Sequence, residues 1–509
     1  MEGVDLTDEP SAAERSRSAL DRQLLDGMAW TAILRWSAQV VSWVGTAIAA
    51  RLLSPDDYGL IGMAMVGIGL VRMVEDFGMD AVLVQDRTIG GARQARLAGL
   101  VLMMGILFAL AFVALSVPIA RFFKEPQVAM LVSVLGSLCI ADALQVIPRA
   151  VLQREMEFRR LALLQLVQVA ATQTILIAGA WLGWGVWSLV FNSLGGALAV
   201  TLLLLWWRPF RISWPRDIAS LSVPLLQGWR ILASRFAWYA YTAADQTVIG
   251  RVLGKGALGT YSFAMTFSTT ISQEISSVLS RVVPGVFSTV QHLQLELRRY
   301  FMVLTELLCY LALPVSFGMA VTADLIVQMV LGPQWGAVVA PLRILCIYSA
   351  FYSCQVLVGH LLLWTGRFRA NMWCSILAAS IMPLGFWLGS RWGLAGVAWV
   401  WVIGFPLVNL PAFVIGFRAI GINGWQWLYV FLPALLACLV MMAAVVGVRS
   451  VLPADMAAPI ALAICVPIGV LAYIATLLLF FRSRLAAVWS FVRVLRSRGR
   501  GLVGDAASA

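Results

Sequence analysis

The sequence predicts an all-α polytopic membrane protein of about fourteen transmembrane helices, as two pseudo-symmetric six-helix lobes followed by a C-terminal helix pair. Three observations predict it. Of 509 residues, 61% are hydrophobic and only 12% charged, where a soluble globule carries about twice that share of charge. The apolar residues fall in runs of roughly 20, the length that crosses a hydrocarbon core of about 30 Å. One stretch also occurs twice, about 200 positions apart.

The repeat is ARLLSPDDYGLIGMAM, Ala50 to Met65, and GRVLGKGALGTYSFAM, Gly250 to Met265. A gap-free shift of about 200 positions lays Arg51 on Arg251, Leu53 on Leu253, Gly59 on Gly259, Ala64 on Ala264 and Met65 on Met265. Extended backwards, it lays Arg35 on Arg235, each an arginine inside an otherwise apolar run. A duplicated membrane bundle with a cation inside each half makes transport the first function to test.

Residues 1–26 are polar, rich in Asp, Glu and Arg, and lack the apolar core of a cleaved signal, so they read as an N-terminal tail. The first lobe is 27–207, with spans near 27–50, 58–79, 96–119, 128–150, 161–182 and 186–207. A polar linker, 208–222, separates it from the second lobe, 223–417, with spans near 223–250, 257–280, 301–322, 337–363, 370–389 and 394–417. A last pair within 418–481 spans 427–448 and 458–481, and 482–509 is a basic tail. GWGVWSLV (Gly183 to Val190) and GLAGVAWVW (Gly393 to Trp401) occupy matching places in the two lobes. Prolines at 118, 148, 284, 314, 383, 406, 411 and 433 fall in or at the ends of spans, where each allows a bend.

The formal charge of +12 rests almost wholly on arginine, and its distribution argues for membrane topology rather than nucleic-acid binding. Arg87, Arg93, Arg96, Arg154, Arg159, Arg160, Arg208, Arg211, Arg216, Arg298, Arg299, Arg367, Arg369 and the tail from Arg482 share the side of the N-terminus. The opposite loops carry only Arg51, Arg121, Lys124, Arg251, Lys255, Arg391 and Arg449. Both termini are therefore expected in the cytoplasm. The tail can form an amphipathic helix on the anionic inner leaflet, or serve as a disordered positive-inside tail. The seven cysteines lie in apolar runs without metal-site spacing and read as small core residues.

An ionisable group at mid-bilayer costs at least about 2.5 kcal/mol and normally faces a partner or a wet cavity. Arg35 and Arg235, with Arg230 nearby, are candidates to bind a phosphate-bearing head group through their bidentate forks, or to sit in structural ion pairs. Asp142, Asp245, Glu274 and Glu306 are candidates for proton or cation coupling, or for ion pairs with arginines such as Arg149 and Arg343. No metal site or catalytic constellation is legible, and no GxxxxGK[ST] loop is present, so no cofactor is expected beyond a coupling H+ or Na+.

RLLSPDDYGLIGMA, GWGVWSLV and DQTVIGRVLGKGALGTYSFA together resemble the polysaccharide transporter (Wzx-type) flippases of the multidrug/oligosaccharidyl-lipid/polysaccharide exporter superfamily. The resemblance runs through the whole chain in span number and motif order. It implies two lobes facing each other across a central cavity in the bacterial inner membrane. The implied function is to turn undecaprenyl-pyrophosphate-linked oligosaccharide from the cytoplasmic to the outer leaflet for exopolysaccharide, capsule or O-antigen synthesis. Membrane lipids, a polysaccharide polymerase and export machinery are the partners this implies. Trp36, Trp43, Trp229, Trp238, Tyr239 and Tyr241 could stack on sugars or form an interfacial belt.

The rivals are a lipid II flippase, a multidrug/cation antiporter of the same superfamily, and, from another class, a membrane polysaccharide polymerase or ligase. The last would be an enzyme with a large charged outer loop, which this chain lacks. The repeated stretches themselves are expected to be outer-face turns with a framework role.

Overall fold

A computed structural model describes residues 34, 36–76, 91–155, 157–208, 212–213, 239, 241–290, 294–453 and 456–486. The described residues are helices joined by short turns. In the first half these are α1 (36–52), α2 (Pro55–Asp76), α3 (Gly91–Phe123), α4 (Gln127–Leu135), α5 (Leu138–Arg154), α6 (Phe158–Trp181) and α7 (Val186–Trp207). In the second they are α8 (Ala244–Val252), α9 (Lys255–Val290), α10 (Gln294–Val321), α11 (Ala323–Val330), α12 (Val339–Trp364), α13 (Phe368–Gly389) and α14 (Gly393–Ile420). The closing pair is α15 (Gly424–Val451) and α16 (Ala458–Phe480). Among the described residues, nine stretches are long and apolar enough to cross a membrane, and one of them, Arg369–Ile420, contains both α13 and α14.

Local chemistry explains where these helices begin. After α1, Ser54 caps α2: its amide and hydroxyl donate to the Asp57 carboxylate at 3.0 and 2.7 Å, and the Asp57 amide returns a bond to the Ser54 hydroxyl at 3.3 Å. Pro55 fills the first helical position, where no amide is needed, and Asp56 and Asp57 lie at the positive end of the helix dipole. The second copy has no such box. There Gly254, at φ +89°, turns the chain from α8 into α9. In the GWGVWSLV motif, Gly183 (φ +75°) and Gly185 (φ +54°) fold α6 back on α7, and Gly393 (φ +71°) opens α14 against α13.

The span expected over 128–150 is two helices, α4 and α5, stepped at Gly136 and Ser137. A Cβ on Gly136 would stand 2.8 Å from Cβ of Phe112, so the step lies in tight contact with α3. Pro118, Pro148, Pro314, Pro383, Pro406, Pro411 and Pro433 all sit inside helices. Six cysteines are buried, as their apolar runs suggest.

One apolar core cluster runs through both halves, from Met63, Phe112 and Val132 to Tyr261, Trp335 and Trp401. The closing pair is tied on by polar contacts as well as packing. At its far end, Arg449 donates to both Asp324 oxygens at 3.0 and 2.5 Å, and Arg343 adds a contact at 3.2 Å. Burial pushes the Asp324 carboxyl up, but the Arg449 hydrogen bonds and charge, helped by Arg343, outweigh it and hold the group below the usual carboxylate range.

Candidate functional site at the seam between the lobes

The repeated stretches meet each other. A Cβ on Gly59 would overlap the Lys255 carbonyl at the start of α9, and a Cβ on Gly259 would overlap the Pro55 carbonyl at the start of α2. The same Gly259 Cβ would stand 2.9 Å from the Gly59 amide nitrogen. The two duplicated glycines are thus the two halves of one crossing, where the helix starts touch backbone to backbone. Only glycine permits that approach; one turn on, a Cβ on Gly62 would stand 3.2 Å from the Leu258 side chain, a tight contact without overlap.

Polar and aromatic contacts surround the crossing. The short 3-10 turn Pro333–Val338 of the second lobe caps the end of α1 in the first. Gln334 Nε2 donates to the Ala50 and Leu53 carbonyls at 2.9 and 3.2 Å, and Trp335 Nε1 donates to Ala50 at 2.7 Å. Arg51 reciprocates, giving Nε to the Val330 carbonyl at 3.3 Å and Nη2 to that of Met329, so it caps the end of α11. Each helix end has its leftover carbonyls satisfied by the opposite lobe. Tyr58 packs edge-on to Phe263, and Phe263 edge-on to Trp335, at centroid distances of 4.6 and 4.4 Å.

On the other flank, Lys255 stands 3.6 Å from Glu125 and 4.0 Å from Asp56, both in the first lobe. The Arg251 guanidinium lies 5.5 Å over the Phe122 ring. Deeper in the seam, the Tyr239 hydroxyl donates to the Val66 carbonyl at 3.0 Å, against Gly69. The stretches expected to be framework turns therefore build the contact between the lobes.

Of the site residues singled out from sequence, Arg35, Arg230 and Arg235 lie outside the described residues, as do Trp229 and Trp238. Trp36 and Trp43 are exposed on α1. The four carboxylates fall on four helices. Asp142 and Glu274 are partly buried on α5 and α9, and Glu306 on α10 accepts from the Tyr310 hydroxyl at 2.8 Å.

Asp245 is fully buried. It lies in the first turn of α8, which starts after a break in the helical path at Ala243. Its carboxylate accepts from the Tyr261 hydroxyl of α9 at 2.8 Å, the Trp401 indole of α14 at 3.0 Å and the Gln246 amide at 2.7 Å. Trp401 Nε1 also reaches the Tyr261 oxygen at 2.8 Å. Its partners are neutral donors, so among the described residues no arginine compensates it. One buried carboxylate thus joins three helices, α8, α9 and α14.

Sequence reading did not find Gln334, Trp335, Tyr261 or Trp401 as partners. Trp335 follows a Gly-Pro turn, but nothing in its neighbourhood says that its indole reaches a carbonyl 285 positions away.

Residues 48–340 match the family described as "Polysaccharide biosynthesis protein". Among curated relatives, the chain is 25% identical to the lipopolysaccharide biosynthesis protein WzxC of Escherichia coli (strain K12), over 82% of this chain and 87% of that one. It is 23% identical to the succinoglycan biosynthesis transport protein ExoT of Rhizobium meliloti (strain 1021), over 74% and 78% of the two chains. Its fold is similar to that of the lipid II flippase MurJ in an inward closed conformation, with TM-score 0.72, 14% identity and coverage of 89% and 99%. An inward-facing multidrug MATE transporter follows at TM-score 0.59, 13% identity and coverage of 77% and 98%. The family match takes in more than half of the chain and both copies of the repeat, so the chain belongs to the polysaccharide biosynthesis protein family, the Wzx-type branch of this membrane transporter superfamily.

Proposed function

We infer that the protein is a flippase that moves undecaprenyl-pyrophosphate-linked oligosaccharide across the bacterial cytoplasmic membrane by alternating access. The observation that carries this reading is the two-fold seam at Gly59 and Gly259. Two lobes touch there through small residues and exchangeable hydrogen bonds, a contact that can part and re-form without unfolding either lobe. The arginine distribution puts both termini in the cytoplasm and the seam at the outer face. The state described is then sealed on the outside. The relatives' roles in lipopolysaccharide and succinoglycan biosynthesis support the substrate class.

In this reading residues 27–207 and 223–417 are the rocking lobes, 208–222 links them and 418–481 rides on the second. Arg35, Arg230 and Arg235 hold the pyrophosphate in the cavity, where guanidinium forks match its oxygens. Asp245 carries the coupling proton, because α8, α9 and α14 converge on it and α8 and α9 lead directly into the seam.

The decisive experiment is deletion of the gene followed by analysis of lipid-linked intermediates. Accumulation of one on the cytoplasmic side is expected, and its absence overturns the reading. Arg35→Ala and Arg235→Ala are expected to abolish export with protein still in the membrane. Asp245→Asn keeps the shape and cannot ionise, so flipping in proteoliposomes should lose its response to an imposed pH gradient. A retained response removes Asp245 from the coupling role.

A further inference from the structure

We propose that the cleft between α2, α3 and α8 is the slot through which the hydrocarbon chain of the lipid carrier passes between the lobes, with Arg251 reading the phosphate at its head. This rests on the flippase reading and adds where the lipid, as distinct from the sugar, is held.

The cleft has a volume of about 380 Å³ and is lined by Val66, Gly67, Phe112, Leu115, Phe122 and Thr247 among others. Its walls come from both lobes, α2 and α3 from the first and α8 from the second, so rocking changes its width. Phe112 is buried at its back, whereas Leu115 and Phe122 are exposed on α3, a helix long and apolar enough to span the bilayer, so the cleft opens sideways toward lipid. The Thr247 hydroxyl is already engaged, donating to the Ala243 carbonyl at 2.8 Å. Among the lining side chains, sugar hydroxyls entering here would find the Thr247 oxygen as an acceptor and leave their other donors unpaired, a cost that disfavours them, while a hydrocarbon chain loses nothing. The size is at the small end of ligand sites and suits one chain segment between aromatic rings.

Against the Phe122 wall of the slot stands a cation whose donors are not used up. Arg251 stands one helical turn beyond Thr247, and its guanidinium is steered by the Phe122 ring, itself part of the wall. Its Nη1 is buried with no acceptor among the described residues. The equivalent Arg51 instead turns Nε and Nη2 to two carbonyls at the end of α11. A phosphate oxygen is the acceptor that a guanidinium in this setting favours, because charge assistance roughly doubles the strength of the bond. Gly250 keeps the slot narrow, since a Cβ there would stand 2.9 Å from the Phe123 ring.

The test uses purified full-length protein in nanodiscs and a polyprenyl monophosphate bearing a photoreactive group near its head, with adducts mapped by mass spectrometry. Adducts are expected on the α3 wall around Leu115 and Phe122. Arg251→Gln should cut their yield at least tenfold, and Leu115→Trp, an exposed position that leaves the fold intact, should block the slot to a similar degree. The uncharged polyprenol analogue should label wild type and Arg251→Gln alike. Adducts elsewhere, or displacement by phosphatidylglycerol as effective as by unlabelled polyprenyl phosphate, overturn the proposal. Failure of labelling while the deletion strain still accumulates its intermediate removes the slot and leaves the flippase reading standing. Absence of accumulation removes the latter.

Discussion

Arg51 and Arg251 hold the same place in two copies of one stretch, yet the flanks they belong to are fastened by different physics. On the Arg51 flank, neutral and charged donors cap helix carbonyls across the seam, and a buried indole locks the turn in place. On the Arg251 flank, a cation rests on an exposed ring and a lysine reaches two carboxylates at the long end of ion-pair distance. Directional hydrogen bonds onto helix-end carbonyls, one of them from a buried indole, hold a fixed geometry, whereas long ion pairs and cation–π contacts are weak. The first flank is the more directionally fastened of the two, and the cleft between α2, α3 and α8 lies on the second.

The comparison breaks most completely at what the copies share. Gly59→Val or Gly259→Val places atoms where the partner backbone already is, an overpacking cost of about 1–3 kcal/mol or more. Closure should fall about 10- to 100-fold by the same arithmetic, read as faster alkylation of Ser262→Cys by a membrane-impermeant reagent. Labelling at the parental rate would show that the crossing does not hold the outer face shut.

The flanks can then be set against each other. Trp335→Ala removes a fully buried indole and should cost about 3–5 kcal/mol, visible as a large drop in melting temperature in detergent. Phe122→Ala, its counterpart on the other flank, loses an exposed ring and should cost about 1 kcal/mol or less. Equal losses would erase the asymmetry. Lys255→Gln should have a smaller effect, about 0–1 kcal/mol, which vanishes at high salt.

The smallest effect concerns the closing helix pair. The folded state holds Asp324 below its ordinary range, so its contribution is present above the unfolded carboxylate pKa of about 4 and is lost as pH falls through the lower folded value. Asp324→Asn should therefore flatten the acid side of the melting-temperature profile and leave the neutral side with a lower plateau. A profile that keeps its acid slope would assign that slope to other carboxylates.

Hydropathy alone located the long helices, because a membrane helix must announce itself by about 20 apolar residues in a row. The duplication was equally legible, since Gly59 and Gly259 stand in matching sequence. Their role was not, because a glycine that opens a turn and a glycine that admits another helix look alike in one dimension. Asp245 was singled out because a carboxylate in an apolar run is conspicuous. Its partners Tyr261 and Trp401 are ordinary aromatic residues in spans full of them, and only convergence of α8, α9 and α14 distinguishes them.

The sequence by itself determined the class of the molecule, its helices, its internal repeat and the chemistry of its candidate cations, all of which depend on local composition and spacing. Tertiary structure alone decided that the repeats face each other. It alone decided that Gln334 and Trp335 finish a helix of the opposite lobe and that Arg251 is left with a donor to offer. These are contacts between residues some 130 to 285 positions apart, and their energies depend on distances that no linear pattern encodes.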